Sequence, residues 1–208
     1  MRTLKDLSAA GKRIIVRADY NLPIHAGKIA DVSRVKASLP TLKQLLDQGA
    51  SLVLLSHFGR PKGRFEAASS LAPVTPVLAA QLGRPVTFIG GSAERTPASD
   101  PTLRQVLPLP QGSVALLDNV RFEPGEGSND AALARRYARL GETFVLDAFA
   151  SAHRDHASVT GATRFLPSCA GLLMEKEVAN LTRLIQRPAM PFWVVLGGSK
   201  AADKIGAV

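Results

Sequence analysis

Short runs of apolar residues, many of them β-branched, alternate with helical patterns along almost the whole chain, and this alternation restricts the fold more than any other feature. The runs are 13–19 (RIIVRAD), 51–56 (SLVLLS), 86–89 (VTFI), 114–117 (VALL), 143–147 (TFVLD) and 192–196 (FWVVL). Most of them are apolar almost throughout and do not alternate with polar residues. Such runs are typical of strands that are covered on both faces, as in a parallel sheet.

Helical patterns occupy the segments between these runs. They cover residues 32–48, 74–82, 101–107, 130–140 and 173–186. The first has an apolar face (Val35, Leu39, Leu42, Leu45 and Leu46), a predicted N-cap at Asp31, a terminator at Gly49 and an expected kink at Pro40. This alternation predicts an α/β fold: a doubly wound parallel sheet with helices on both faces, which is a Rossmann-like three-layer domain.

No internal repeat, low-complexity tract or long linker interrupts the chain, so one domain is the simplest organisation. Run 192–196 is followed by the turn Gly197-Gly198-Ser199-Lys200 and by a helical pattern that soon stops, at Val208. A strand that leads into an unfinished helix predicts a truncated chain. We therefore expect residues 1–190 to form one domain, and residues 191–208 to supply its last strand and the start of the next helix.

The charge of the chain is strongly positive. The formal net charge is +9, with 26 Lys and Arg residues against 17 Asp and Glu residues. An excess of this size attracts nucleic acid, anionic membrane surfaces, or small phosphorylated and carboxylated metabolites. Aromatic residues make up only 5% of the chain, and no helix-turn-helix, zinc-finger or RNP motif occurs, so nucleic acid is the weaker candidate.

Several cellular locations and chemistries are disfavoured by what the sequence lacks. No stretch of 18 or more apolar residues occurs, and the first residues lack the apolar centre of a secretory signal, so we expect no membrane segment. Cys169 is the only cysteine, which favours a reducing compartment and predicts a cytoplasmic protein. His153 and His156 have no HExxH context or cysteine partners, so no metal site is predicted. P-loop, GxGxxG and nucleophile-elbow motifs are also missing.

Polar residues with suitable chemistry follow nearly every predicted strand. In open α/β sheets, ligands bind beyond the carboxyl ends of the strands. The residues at these ends are Asp19 and Asn21, His57 and Arg60, Asp118 to Arg121, Asp147 with His153 and Arg154, and the turn at 197–200. Arg34 lies in the first helical turn, where the helix dipole disfavours a cation. Because guanidinium groups match carboxylate and phosphate oxygens, this set predicts an anion site.

Each of these residues also has a structural interpretation when it is taken singly. The alternatives are a structural histidine for His57 and His153, an ion pair with Glu123 or Glu126 for Arg121, loop capping for Asp19 and Asp147, and tight strand-to-helix packing for Gly197 and Gly198. The functional interpretation depends on the conjunction of these residues at one edge of the sheet.

Six segments resemble, in order and spacing, the signature blocks of the phosphoglycerate kinase family. They are VRADYNLP, LSHFGRPKG, LLDNVRFEPGE, LDAFASAHRDHAS, AGLLMEKEV and VVLGGSKAADKIG, which extend from Val16 almost to the end of the chain. The resemblance covers the whole chain, which corresponds to about the first half of a family member. It departs from the family at Ala150-Ser151, where Gly-Thr is usual, and at Asp155, which would either weaken the basic patch or orient Arg154.

The resemblance implies a two-domain hinge enzyme of glycolysis. Such an enzyme moves a phosphoryl group reversibly between 1,3-bisphosphoglycerate and ADP, giving 3-phosphoglycerate and ATP, with Mg²⁺ on the nucleotide. Residues 1–190 would then be the phosphoglycerate-binding domain, and the C-terminal nucleotide domain would be a missing partner. The chain alone is expected to be a monomer with no bound cofactor and no turnover.

The resemblance also implies roles for single residues. Asp19 and Asn21 would contact the carboxylate and hydroxyl end of the substrate. The basic patch around its phosphate and carboxylate would comprise Arg34, His57, Arg60, Arg121 and Arg154, with His153 in support. Lys200 and Lys204 resemble the lysines that meet the nucleotide phosphates, and Arg34 and Lys204 would be catalytic. The accepting carboxylate is already ionised at neutral pH, so no general base is needed. A basic module that binds nucleic acid or other polyanions on a kinase scaffold is the alternative.

Overall fold

Six parallel strands form one sheet in the computed structural model, which describes residues 1–25, 28–186, 188–193 and 195. The strands of the chain are β1 (Arg13–Arg17), β2 (Ile24–His25), β3 (Lys28–Ile29), β4 (Ser51–Leu55), β5 (Thr87–Ile89), β6 (Val114–Leu117), β7 (Thr143–Leu146) and β8 (Ser168–Ala170). The order in the large sheet is β5-β6-β4-β1-β7-β8, and β2 and β3 form a separate antiparallel pair.

Five α-helices accompany the strands in the described residues. They are α1 (Ser33–Asp47), α2 (Val74–Leu82), α3 (Asp100–Val106), α4 (Ala131–Ala138) and α5 (Leu172–Gln186). The backbone divides into two compact units, Met1–Lys176 and Glu177–Val208, and the sheet lies in the first of them. The boundary predicted after residue 190 stays a prediction.

Both faces of the sheet are covered, which explains the apolar character of its strands. Successive residues of β4 alternate between two hydrophobic clusters: Leu52 and Leu54 belong to one, Val53 and Leu55 to the other. The first cluster includes apolar residues of α1 and α2, and the second includes residues of α3 and α4. Because successive side chains of a strand point to opposite faces, the two helix pairs lie on opposite faces of the sheet. The predicted three-layer α/β fold is therefore confirmed.

The residues that start and end helix α1 were largely predicted from the sequence. Asp31 accepts hydrogen bonds from the backbone N–H of Ser33 (2.7 Å) and from its hydroxyl (2.8 Å). The N-cap itself is Val32, whose side chain makes no capping hydrogen bond. Asp31 lies one position before it, so the predicted N-cap was wrong by one residue. Gly49 has a φ of +85° and donates to the carbonyl of Leu46 (2.9 Å), which ends the helix. The helix is continuous through Pro40.

The strand predictions agree with the structure to within two residues for the first five runs. β8 was missed because Ser168–Ala170 is short and contains no β-branched residue. Phe192 and Trp193 of the predicted run 192–196 are not in a strand, while Val194 and Leu196 lie outside the described residues. In the part of the chain that is described, no helix is both long and apolar enough to cross a membrane.

Candidate anion-binding site at the carboxyl edge of the sheet

Four neighbouring strands at the centre of the sheet end on one side of it. β6, β4, β1 and β7 are adjacent and parallel, so their carboxyl ends share a surface that we call the carboxyl edge. The segments that leave these strands carry Asp19 and Asn21, His57 and Arg60, Arg121, and His153 and Arg154. Arg34 joins them from the first turn of α1, which follows β1 and the short β2–β3 pair.

A buried arginine, Arg17, lies beneath this surface, and the sequence analysis missed it. Arg17 is the last residue of β1 and is only 2% exposed. Its Nη2 lies 3.2 Å from Nδ1 of His57, and its Nε donates to the Ser158 hydroxyl (3.1 Å). Its Nη1 donates to the carbonyl of Ala18. The signal in the sequence was a guanidinium at the end of an otherwise apolar run, because a charged side chain is buried in a core only where it has partners.

The charge of Arg17 is balanced through an intervening serine. Glu126 is buried and accepts hydrogen bonds from the Ser158 hydroxyl (2.5 Å) and from the Ser158 backbone N–H (3.1 Å). Burial raises the pKa of Glu126, and the nearby Arg17 opposes that rise. Nδ1 of His156 lies 3.7 Å from the same carboxylate. Glu126 therefore serves the buried network, and no ion pair with Arg121 is formed among the described residues.

Electrostatic effects on His57 and Arg121 show how closely the cations are grouped. Burial and, after it, the charges of Arg17, Arg121, Arg154 and Arg34 together lower the pKa of His57 to about 2. Burial also lowers the pKa of Arg121, with a further contribution from Arg154. The carboxyl edge is thus cationic through its arginines, while His57 is a neutral ring among them.

Arg34 and Asp19 form an ion pair in the absence of any ligand. Nη1 of Arg34 lies 2.6 Å from Oδ2 of Asp19. The other oxygen of Asp19 accepts a hydrogen bond from the backbone N–H of Asn21 (3.1 Å). A cation in the first turn of a helix, which the helix dipole disfavours, therefore has a carboxylate partner from the end of β1.

The loop after β4 is held from three directions. The backbone N–H of Gly59 donates to Oδ1 of Asn21 (3.0 Å), and the Gly59 carbonyl accepts from Nη1 of Arg121. Nδ2 of Asn119 donates to the carbonyls of Phe58 and Ser69. Gly59 has a φ of +58°, a conformation that favours glycine. These contacts fix the backbone that presents the exposed Arg60.

The loop after β7 separates Arg154 from its acidic neighbour. Asp155 accepts hydrogen bonds from Nδ2 of Asn129 (2.6 Å) and from the hydroxyl of Thr160. Among the described residues it forms no ion pair with Arg154, whose Nε instead donates to Nε2 of the exposed His153 (3.4 Å). Of the two roles foreseen for Asp155, neither a direct weakening nor a direct orientation of Arg154 by pairing is seen.

Asp147 has a structural role. Its Oδ1 accepts hydrogen bonds from the backbone N–H groups of Leu173 (3.0 Å) and Met174 (3.2 Å), in the first turn of α5. Burial raises the pKa of Asp147, and the hydrogen bonds from the backbone of Met174 and Leu173 oppose this rise. Its Oδ2 is buried without a partner. The structural alternative for Asp147 was that it caps a loop. Its contacts show a capping role, but at the start of helix α5.

A cleft of about 350 Å³ opens beside Arg121, and Lys62, Glu126 and His156 also line it. Among the residues described, no group of three or more His, Cys, Asp or Glu side chains is placed to hold a metal ion. Lys200, Lys204 and the turn at Gly197-Gly198 lie outside the described residues.

Comparisons with known proteins agree on one family. The family model described as phosphoglycerate kinase matches residues 4–208. Curated relatives named phosphoglycerate kinase, from Thermus thermophilus and Deinococcus radiodurans, are 56% and 50% identical over 208 residues. Solved phosphoglycerate kinase structures from Coxiella burnetii and Pyrococcus horikoshii are 38% and 31% identical, with TM-scores of 0.83 and 0.87.

The lengths of these proteins differ from that of the chain. All of this chain matches 52% of the Thermus relative and 50% of the Deinococcus relative. The two solved structures cover 98% of this chain, which in turn covers 50% of each of them. The chain therefore spans about half the length of the relatives it matches. Since the family model matches nearly every residue and the same fold recurs in the solved structures, the chain belongs to the phosphoglycerate kinase family.

Proposed function

We propose that the carboxyl edge binds 3-phosphoglycerate, and that the chain supplies this site to a phosphoglycerate kinase. The observation that carries the proposal is the placement of Arg34, Arg121 and Arg154 at one edge of the sheet, with the buried His57 among them. The substrate has an anion at each end, and several guanidinium groups at one surface offer matching forks to both.

The chemistry of the reaction places few other demands on this half of the enzyme. The acceptor is a carboxylate that is ionised at neutral pH, so the site needs no general base. Phosphoryl transfer requires in-line positioning and neutralisation of the charge on the group in flight. We assign the neutralisation to Arg34 and Lys204. Arg34 must exchange its bond with Asp19 (2.6 Å) for one with the substrate.

Asp19 and Asn21 then bind the carboxylate and hydroxyl end of the substrate. The Oδ1 atom of Asn21 is already bonded to the backbone of Gly59 (3.0 Å), so the Nδ2 group is the one that donates to the ligand. Arg60, Arg121 and Arg154 bind the phosphate. His153 supports Arg154 through their side-chain contact (3.4 Å).

The whole enzyme would transfer the phosphoryl group reversibly between 1,3-bisphosphoglycerate and ADP. Lys200 and Lys204 would meet the nucleotide, Mg²⁺ would accompany ATP or ADP, and a C-terminal nucleotide domain would be the partner of this chain. We expect a cytoplasmic monomer and no turnover by these 208 residues alone. ATP formation from 1,3-bisphosphoglycerate by the isolated chain would overturn the last expectation.

Calorimetric titration with 3-phosphoglycerate tests the proposed site. We expect Arg154→Gln to weaken binding by about tenfold, because it removes a charged hydrogen-bond donor from the phosphate. Arg84→Gln is the matched control, since Arg84 precedes β5 and donates to the carbonyl of Gly112, away from the carboxyl edge. No binding at millimolar ligand, or equal losses in the two variants, would contradict the proposal.

The net charge of +9 favours one other function, a module that binds polyanions on the same scaffold. Such a module would bind arbitrary duplex DNA with a steep dependence on salt. Binding that excess 3-phosphoglycerate does not displace would favour it over the phosphoglycerate site.

A further inference from the structure

The contact between Arg17 and His57 determines which ring nitrogen of His57 carries a proton. A guanidinium group has N–H donors and no acceptor, and it stays protonated in proteins. Its Nη2 lies 3.2 Å from Nδ1 of His57. At that distance Nδ1 must accept the hydrogen bond. The proton of a neutral His57 ring is therefore on Nε2.

Arg17 is held too firmly to turn away from His57. It is 2% exposed, and two further contacts fix its other nitrogens: Nε donates to Ser158 (3.1 Å) and Nη1 donates to the carbonyl of Ala18. Ser158 is itself bonded to Glu126 through both its hydroxyl and its backbone. The network thus extends from a buried carboxylate to the histidine ring.

Protonation of His57 would disrupt this arrangement. It would place an N–H group against the N–H of Arg17, in a position where His57 is only 6% exposed. The largest charge effects on the ring come from four cations: Arg17 from β1, Arg34 from α1, Arg121 after β6 and Arg154 after β7. The nearby carboxylates are already engaged, since Asp19 pairs with Arg34 and Glu126 accepts both hydrogen bonds from Ser158.

We infer that Arg17 is a positioning residue that fixes His57 as the neutral Nε2–H tautomer, so that His57 donates one hydrogen bond to an uncharged or charged oxygen of the substrate. The identity of the ligand rests on the proposed function, but the tautomer does not. His57 then supplies a directional hydrogen bond at the site, while the arginines supply the positive charge. Binding through His57 is consequently unchanged between pH 5.5 and 8, a range in which ordinary histidines titrate.

The tautomer is measured directly by NMR of the protein labelled with ¹⁵N-histidine. In the wild type we expect His57 to show an unprotonated Nδ1 and a protonated Nε2, with shifts that stay constant from pH 5.5 to 8. Arg17→Met should give a mixture of the two neutral tautomers, because burial still disfavours the charged ring, and Arg17→Lys should partly restore the wild-type pattern.

The wild-type spectrum decides the inference even if Arg17→Met does not fold. A protonated Nδ1 in the wild type, or a His57 that titrates near pH 6.5 with Arg17 in place, would overturn it. An unaltered tautomer in a folded Arg17→Met protein would also overturn it.

A pair of substitutions connects the tautomer to binding. The amide nitrogen of glutamine approximates the position of Nε2 in His57→Gln, whereas in His57→Asn only the position of Nδ1 is replaced. We expect His57→Asn to weaken 3-phosphoglycerate binding by about tenfold, the loss of one hydrogen bond to a charged group. His57→Gln should retain most of the affinity.

The two proposals can fail separately. If the wild-type protein shows the Nε2–H tautomer but does not bind 3-phosphoglycerate, the proposed function fails and the role of Arg17 stands. If it binds the ligand but His57→Asn binds as well as His57→Gln, the donor role of His57 is wrong while the phosphoglycerate site stands.

Discussion

At the scale of single residues, the buried pair of Arg17 and His57 makes the folded protein sensitive to acid. His57 is only 6% exposed, and its pKa falls from the ordinary 6.5 to about 2. The unfolded chain therefore binds a proton below pH 6.5 that the folded chain does not. The stabilising contribution is complete above that pH and is lost as the pH falls.

We predict that this difference costs about 2 kcal/mol of unfolding free energy at pH 5. The measurement is urea denaturation at pH 7.5 and pH 5, with His57→Asn as the reference, because asparagine does not titrate in this range. The wild type should lose more stability than the variant between the two pH values. Equal losses would mean that His57 is protonated in the folded state.

The residues of the site differ in how well the sequence identified them. Arg60, Arg121 and Arg154 lie in the segments that follow β4, β6 and β7, so their meeting at one edge follows from the topology of a parallel sheet. Arg17 is the last residue of β1, within the predicted run 13–19. That run predicts a strand, but it does not reveal what the side chain of Arg17 contacts. The bond between Asn21 and Gly59 joins segments 38 positions apart and could only be found in three dimensions.

At the scale of elements, α5 follows β8 in the chain but begins in space beside the carboxyl end of β7. Asp147, the residue after β7, binds the first turn of the helix. The Oδ1 atom of Asp147 accepts the N–H groups of Leu173 and Met174, and the hydroxyl of Thr41 accepts the N–H of Leu172 (2.9 Å). Donors at a helix start are otherwise unsatisfied. A strand end and α1 thus fix the start of α5 together.

We predict that Asp147→Ala lowers the unfolding free energy by about 2 kcal/mol, since it leaves buried donors unpaired. Asp147→Asn should cost much less, because the amide oxygen can replace Oδ1, and because burial already raises the pKa of Asp147 and so disfavours its charge. Hydrogen exchange of the amides of Leu173 and Met174 reports the effect locally. Similar losses in the two variants would show that the charge of Asp147, and not its acceptor atom, is needed.

The elements themselves were predictable to different degrees. Strands buried on both faces have continuous apolar sequences, and helices α1 and α5 have clear periodicity, so their ends fall within a residue or two of the prediction. β8 lacks a continuous apolar sequence and forms a strand because it pairs with β7. Tertiary contacts decide short strands of this kind.

At the scale of the whole molecule, the positive charge should make anion binding depend on salt. The net charge is +9, and charges separated by more than the Debye length, about 10 Å at 0.1 M salt, are screened. Arginines in direct contact with a bound anion would be screened less than the distant surface charges. Salt therefore mainly reduces the attraction that the rest of the molecule adds.

We predict that the affinity for 3-phosphoglycerate falls by about threefold to tenfold between 0.05 M and 0.5 M sodium chloride. Calorimetry over this range provides the measurement. In the Arg84→Gln variant the affinity should depend on salt slightly less steeply, because one distant positive charge is removed. An affinity that does not change with salt would mean that distant charges contribute nothing and that chloride does not compete at the site.

The ion pair between Asp19 and Arg34 has a consequence for selectivity. The carboxylate of Asp19 competes for Arg34, because an anion gains the Nη1 donor of that guanidinium only by displacing Asp19. Inorganic phosphate, with a single anionic centre, gains little from that exchange once it occupies the other arginines. A ligand with two anionic ends can complete it, so we expect the empty protein to discriminate by ligand length before any domain closes.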